Sequence, residues 1–210
     1  MATYRFADPL SQRSIMADIL FIEISMRYDE EHKAKTRQRI IEEAAKRFRR
    51  DGVSATSVQT LMKALQLTHG GFYGHFESKD ELIDEALRHC IIENGAVTPA
   101  SLTGEQPLPE FIQRYLSTVH RDEPARGCIF PTVSAELGQR GQAHPATDQA
   151  LLARLEQVGE HLPDSEAAVL VLSTLVGALV LSRGVVDGEL SDRLLERARA
   201  ALLKLIETKE

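Results

Sequence analysis

From Lys33 to the end of the chain one pattern recurs: apolar residues three or four apart, closed off by a capping residue, a glycine or a proline. That spacing gathers the apolar side chains on one face of an α-helix, whereas a half-buried strand would alternate at every second residue. Ile40, Ile41, Ala44, Ala45 and Phe48 make the first such face, with Gly52 where a C-terminal cap belongs. Thr56-Ser57-Val58-Gln59 reads as a capping box opening a short helix with Val58, Leu61, Met62 and Leu65 inward. Gln66 and Leu67 separate it from Thr68, a second N-cap, and the helix that follows ends near Gly74. Ser78-Lys79-Asp80-Glu81 is a further capping box, predicting a long helix to about Asn94. Two short helices joined by a tight turn, with a third before them, describe a helix-turn-helix unit.

The rest continues in kind. Residues 95–109 are rich in Pro, Gly, Ser and Thr and read as a connection. Helices are expected from Pro109 to about Arg121, from Pro131 to Gln139, and from Pro145 with Leu151, Leu152, Leu155 and Val158 inward. Asp164 is expected to cap a long apolar helix to about Val186, and Ser191 a last one bearing Leu194, Leu195, Ala198, Leu202, Leu205 and Ile206. The fold class is all-α, roughly nine helices. Composition agrees: aromatics are 5% with no Trp, while Ala, Leu, Glu and Arg are plentiful, which disfavours sheets. An apolar share of 43% with 27% charged residues excludes disordered and collagen-like classes.

The longest apolar run, Val169 to Leu181, falls short of the roughly 20 residues a membrane span needs, so a buried helix and no membrane association are expected. Residues 1–31 show no caps and no sustained period; a flexible arm and an upstream extension from an early start codon both fit. Asp18 and Glu23 interrupt the run Ile15 to Ile24, and no signal-peptide cleavage pattern follows, so a cytoplasmic protein is expected. Cys90 and Cys128 are the only cysteines, without CxxC spacing, and His89, His120, His144 and His161 are scattered. No disulfide framework, metal site or cofactor is implied.

The net charge of −6 hides an asymmetry. Ten Lys/Arg and four acids lie between Lys33 and Lys79, a net +6, which leaves −12 for the remainder. A basic block on an acidic body suits a small phosphate-binding module joined to a partner domain, although a solvated basic helix face gives the same count.

The segment Gly70-Gly71-Phe72-Tyr73-Gly74-His75-Phe76-Glu77-Ser78-Lys79-Asp80-Glu81-Leu82 resembles the signature of the tetracycline-repressor (TetR) family of bacterial regulators, and the resemblance covers about residues 33–85. Phe72 and Phe76, four apart, are expected to be buried and to pin the short helix. The resemblance implies that Tyr73, His75 and Lys79 reach DNA phosphates, that the neighbourhood of Thr56 touches phosphate, and that Gly70 and Gly71 let the backbone approach a duplex closely. Thr68 and His69 are then the candidates for base readout. Gly74 departs from the commoner bulky or basic residue. Taken singly, Tyr73 also fits a half-buried packing residue, His75 a surface or capping histidine, Lys79 a solvated charge and Thr56 a plain cap; the joint spacing favours the DNA reading.

The implied organisation is an N-terminal arm or extension (1–31), a DNA-binding domain (32–78), and an effector-binding and dimerisation domain (79–210). A homodimer through the last two helices, a double-stranded operator and an unidentified small-molecule effector are the implied partners. Ala167, Ala168, Gly177 and Ala178 would allow close helix approach, and effector binding would shift the helix from Ser78. Phe111, Tyr115, Val119, Cys128, Phe130, Val133, Leu137 and Leu175 are the pocket candidates, though apolar residues at helical spacing serve a core equally well. Cys128 suits either a reactive thiol or a small buried side chain.

Against an enzyme, the chain has no Gly-rich phosphate loop, nucleophile elbow or metal-ligand spacing, and Glu42-Glu43 and Asp80-Glu81 are adjacent pairs rather than one site. A helical interaction module without DNA binding is the other alternative.

Overall fold

In the computed structural model, residues 9–92, 102, 104–141 and 143–207 are described, and among them every regular element is helical. Residues 1–8 and most of the connection expected at 95–109 lie outside them. The chain divides into two compact units, Met1–Arg39 and Ile40–Glu210. Helix α1 spans Pro9–Asp51, so it starts well before Lys33, where the periodic pattern begins. Within the first unit, Lys33, Lys35 and Arg39 are exposed.

The second unit opens with the end of α1, whose Ile40, Ile41, Ala44, Ala45 and Phe48 are all buried. Gly52 ends the helix at φ 86°, a left-handed conformation that costs a glycine little, and its N–H donates to Phe48 O at 3.1 Å. There follow α2 (Val58–Ala64), the 3₁₀ helix η1 (His69–Gly74) and α3 (Lys79–Ile92). The body comprises α4 (Pro107–Tyr115), α5 (Thr118–Asp122), the short η2 (Pro124–Arg126), α6 (Phe130–Gln139), α7 (Pro145–Gly159), α8 (Ser165–Arg183) and α9 (Gly188–Glu207). Helix α8 is central: it packs on α5, α6, α7 and α9, while α3 packs on α7 and α4 on α9.

Several expectations are corrected. The helix expected from Pro109 to Arg121 is two helices, because Leu116 caps α4 and the Ser117 hydroxyl accepts from His120 N to start α5. The inward face of α7 is Ala146, Ala150, Arg154 and Val158, while Leu151 and Leu152 are exposed. Asp187, not Ser191, caps α9 by accepting from Leu190 N; Ser191 is buried, donating to Ser182 O at 2.7 Å.

By length and composition α8 could cross a bilayer. Here its Val171, Leu175 and Leu179 are fully buried within the helical body.

Candidate nucleic-acid interface

The turn between α2 and η1 is a Schellman arrangement. Leu67 N donates to Met62 O at 2.9 Å and Gln66 N to Lys63 O at 3.1 Å. Gln66 takes the left-handed position at φ 60°, where glycine is the usual occupant. At the start of α2 the cap is Ser57, whose Oγ accepts from Thr60 N at 3.1 Å. Thr56, expected as cap and phosphate contact, is instead buried and donates its hydroxyl to Gly52 O at 2.9 Å. One residue of register separates the two, and the threonine methyl favours the inward place.

Thr68 caps η1, accepting from Gly71 N at 3.2 Å. Phe72 and Phe76 are buried with ring centroids 5.3 Å apart, stacked at 23°, and they fix η1 to its neighbours. Tyr73 is thereby turned outward and is 60% exposed, edge-on to Phe72 and His69. Thr68, His69, Gly70 and Gly71 are exposed beside it, and a Cβ at Gly70 or Gly74 would meet nothing. His75 is half-buried.

Lys79 behaves differently from a solvated charge. Its ammonium donates to Val53 O at 2.7 Å, bracing the turn between α1 and α2, and burial lowers its pKa despite the nearby Glu136 carboxylate. The other side of that turn is held by Glu136 of α6, which accepts from Val53 N at 2.7 Å and Ser54 N at 2.8 Å and also bonds the Ser54 hydroxyl. Thr132, one turn earlier on α6, donates to Arg49 O at 2.8 Å. Nothing in the sequence pattern marks Glu136, which sits four before Arg140 like an ordinary helix-surface pair.

Of the pocket candidates, Phe111, Tyr115, Cys128, Phe130, Val133, Leu137 and Leu175 are buried in the body. Val119 is not: it is 59% exposed, because the break at Leu116–Ser117 turns α5 and brings His120 inward instead. His120 is fully buried. Its Nδ1 lies 2.7 Å from Tyr115 O, and its Nε2 accepts from Cys128 N at 3.0 Å. Since Cys128 N–H can only donate, Nδ1 carries the proton and the ring is neutral. Burial, with the Arg183 charge adding to it against the Tyr115 carbonyl, pushes its pKa down to about 4. Arg154, singled out by no motif, is buried with its guanidinium 5.8 Å over the Phe111 ring.

The family described as "Bacterial regulatory proteins, tetR family" matches residues 40–86, which run from the end of α1 through η1 into α3. The transcriptional repressor DhaR of Mycobacterium sp. (strain GP1) is 26% identical over 106 residues, 50% of this chain and 54% of that protein. A probable acrEF/envCD operon repressor of Escherichia coli K12 is 43% identical over 66 residues, covering 29% of this chain and 30% of its own length. The chain thus spans about half the length of the first curated relative and under a third of the second.

Along most of the length the likeness is one of fold. A TetR-family transcriptional regulator of Cytophaga hutchinsonii aligns with a TM-score of 0.62 at 24% identity, covering 82% of this chain and 96% of that one. A TetR transcriptional regulator of Chloroflexus aurantiacus J-10-FL gives 0.64 at 23%, covering 86% and 98%. Residues 40–86, with their signature segment folded as an anchored, outward-facing stub, thus match the tetR family of bacterial regulatory proteins, and the helical body shares the fold of these solved regulators.

Proposed function

We propose that this chain is a cytoplasmic, non-enzymatic, one-component repressor that binds operator DNA as a homodimer and is released by a small molecule. The observation that carries the reading is η1: two buried phenylalanines hold it, and Thr68, His69, Gly70, Gly71 and Tyr73 stand exposed on it. Exposed glycines let backbone come close to a duplex, Tyr73 and His75 supply phosphate contacts, and Thr68 and His69 are placed for base edges. Lys79 acts first as a brace for the domain and has ammonium protons left for a phosphate. Thr56 serves from inside, holding the turn that presents Ser57. The relatives named as repressors support the same reading.

The DNA-binding domain covers residues 32–78 and the effector and dimerisation domain 79–210, with 1–31 as arm or extension. Two reading heads on successive major grooves must sit about 34–36 Å apart, which requires a pair of chains. Helices α8 and α9 suit the pairing: Leu170, Leu181 and Leu190 are exposed, and Gly177 and Ala178 line an apolar groove with Leu194 and Ala198. Helix α3 is suited to carry the switch. It packs on α7 of the body, where His144 Nδ1 lies 3.2 Å from Asp84, and its first turn holds the brace to Val53.

The test is titration of the protein against the DNA upstream of its own gene at several salt concentrations. Specific binding with a steep salt slope is expected; the absence of both would overturn the reading.

A further inference from the structure

Two grooves flank the exposed face of α8, and their rims carry opposite charge. On one side lies a groove between α7 and α8, with Leu152, Leu155 and Val169 as its apolar part. Leu152 is 66% and Val169 51% exposed, so nothing in the chain itself covers them. Glu156, Glu160, Asp164 and Glu166 line this groove and no cation does. Asp164 is engaged as the cap of α8, accepting from Ala167 N at 2.6 Å. The other three carboxylates are exposed, and among the described residues none of them is held in an ion pair.

On the other side, Gly177 and Ala178 of α8 and Leu190 and Leu194 of α9 make an apolar groove bordered by Arg193 and Arg197, with no carboxylate lining it. Both arginines are exposed and, among the described residues, outside any ion pair. The acids near them in sequence stand apart: Asp192 is bonded to Arg121 at 2.6 Å, and Glu189 and Glu196 do not line the groove. A Cβ on Gly177 would meet nothing, so the chain leaves the space above it open. Leu170 and Leu181, both exposed, carry the apolar surface along α8 from one groove to the other. A patch of that extent marks an interaction surface.

A two-fold axis can lay each groove on its own copy, or lay one groove on the other twice over. The first arrangement presses carboxylates on carboxylates or arginines on arginines; the second pairs opposite charges at both contacts. We propose that the occupant of these grooves is a second copy of this chain, with α9 of each chain lying in the α7–α8 groove of the other. Glu156, Glu160 and Glu166 of one chain then meet the partner's Arg193 and Arg197, and the axis repeats the contact. The proposal rests on the homodimer of the reading above. It adds α7 to the pairing surface and makes rim charge decide which chains pair, so that a chain with reversed rims is refused.

The test is sedimentation of the full-length protein and of two double variants, Glu156→Lys with Glu160→Lys, and Arg193→Glu with Arg197→Glu. All four side chains are exposed, so both variants should fold, which circular dichroism checks. Each variant alone sets like charges against each other at both contacts, and its dimer should dissociate about tenfold more readily than wild type or worse. Mixed in equal amounts, the two variants restore opposite charges at both contacts and should form a heterodimer within about threefold of wild-type affinity. The single changes Glu160→Lys and Arg197→Glu are a lighter pair that should repeat the pattern. A dimeric wild type whose variants pair as well as it does would overturn the proposal and leave the homodimer standing. Variants that stay monomeric when mixed, although folded, would equally overturn it. A wild type that is monomeric at every concentration would sink the homodimer reading itself, and the proposal with it.

Discussion

Glu136 reaches from α6 to Val53, accepting its N–H at 2.7 Å and that of Ser54 at 2.8 Å, so a helix of the body caps the turn between α1 and α2. Two backbone donors share one carboxylate, and such charge-assisted bonds exceed neutral ones in strength. Glu136→Ala should destabilise the protein by about 2 kcal/mol in urea denaturation, and Glu136→Gln, which keeps one acceptor oxygen, by about half of that. Gly52→Ala should be at least as costly. Its backbone is left-handed, and an added Cβ would collide with Glu136 Oε2 and push the carboxylate off its donors. Gly52→Ala and Glu136→Ala should therefore combine to less than the sum of their separate costs; strict additivity would show that they act independently.

The buried neutral state of His120 makes stability pH-dependent. Its pKa is about 4 in the folded protein and about 6.5 when unfolded. Between these values the unfolded chain binds more protons, so stability is complete above about pH 6.5 and is lost as pH falls towards 4. From pH 7.5 to 5 this site should remove about 2 kcal/mol. Denaturation at the two pH values checks this, since His120→Gln should remove most of the difference. Gly127 enforces the arrangement: a Cβ there would run into the His120 ring, so Gly127→Ala should release His120 and abolish the same pH dependence.

How legible these features were depended on whether a local rule governed them. Gly52, Thr68, Ser78, Phe72 and Phe76 obey rules of capping and i, i+4 burial that need no tertiary partner, and the structure has each where the sequence put it. Thr56 against Ser57 and Ser191 against Asp187 were missed because neighbouring residues compete for one cap, and tertiary space decides which turns inward. Leu151 and Leu152 outnumber Arg154 as apolar candidates on α7. The interval of four linking Ala146, Ala150, Arg154 and Val158 was nevertheless a usable sign that an arginine lies on the inner stripe. Glu136 could not have been found, because its partners lie 83 and 82 residues away in sequence.

Gln66 spends a left-handed conformation on a side chain that gains nothing from it. Replacing it with glycine removes that strain, partly offset by the greater freedom of glycine in the unfolded chain. Gln66→Gly should raise stability by about 0.5–1 kcal/mol in thermal or urea unfolding without changing DNA affinity. A loss of stability would mean that the exposed glutamine side chain makes a contact worth more than the strain.

Lys79 donates one ammonium proton to Val53 O and has two remaining. Lys79→Met should cost about 1–2 kcal/mol of stability by leaving that carbonyl unpaired. If the remaining protons meet a phosphate, the variant also binds every DNA sequence more weakly, and its salt slope falls by about one unit. The slope separates the two duties: a stability loss with an unchanged slope would make Lys79 a brace only. Tyr73→Ala should weaken binding on all sequences with the slope preserved, because a phenol releases no counterion. His69→Ala should alter base preference instead.

The face formed by α8 and α9 provides the last test. Leu170 and Leu181 are 53% and 58% exposed on a helix whose opposite residues, Val171, Leu175 and Leu179, are fully buried. Exposed leucines beside a groove lined by Gly177 and Ala178 invite a second helical pair, and a charge placed there would be buried without a partner on dimerisation. Leu181→Glu should therefore leave each chain folded, since the side chain is largely solvated in the monomer. It should shift sedimentation from dimer to monomer at micromolar concentration. Operator affinity should fall steeply, because one reading head keeps only its own half-site. A Leu181→Glu protein that remains dimeric would move the pairing surface elsewhere, and one that becomes monomeric yet binds its operator undiminished would show that pairing is not needed for DNA recognition.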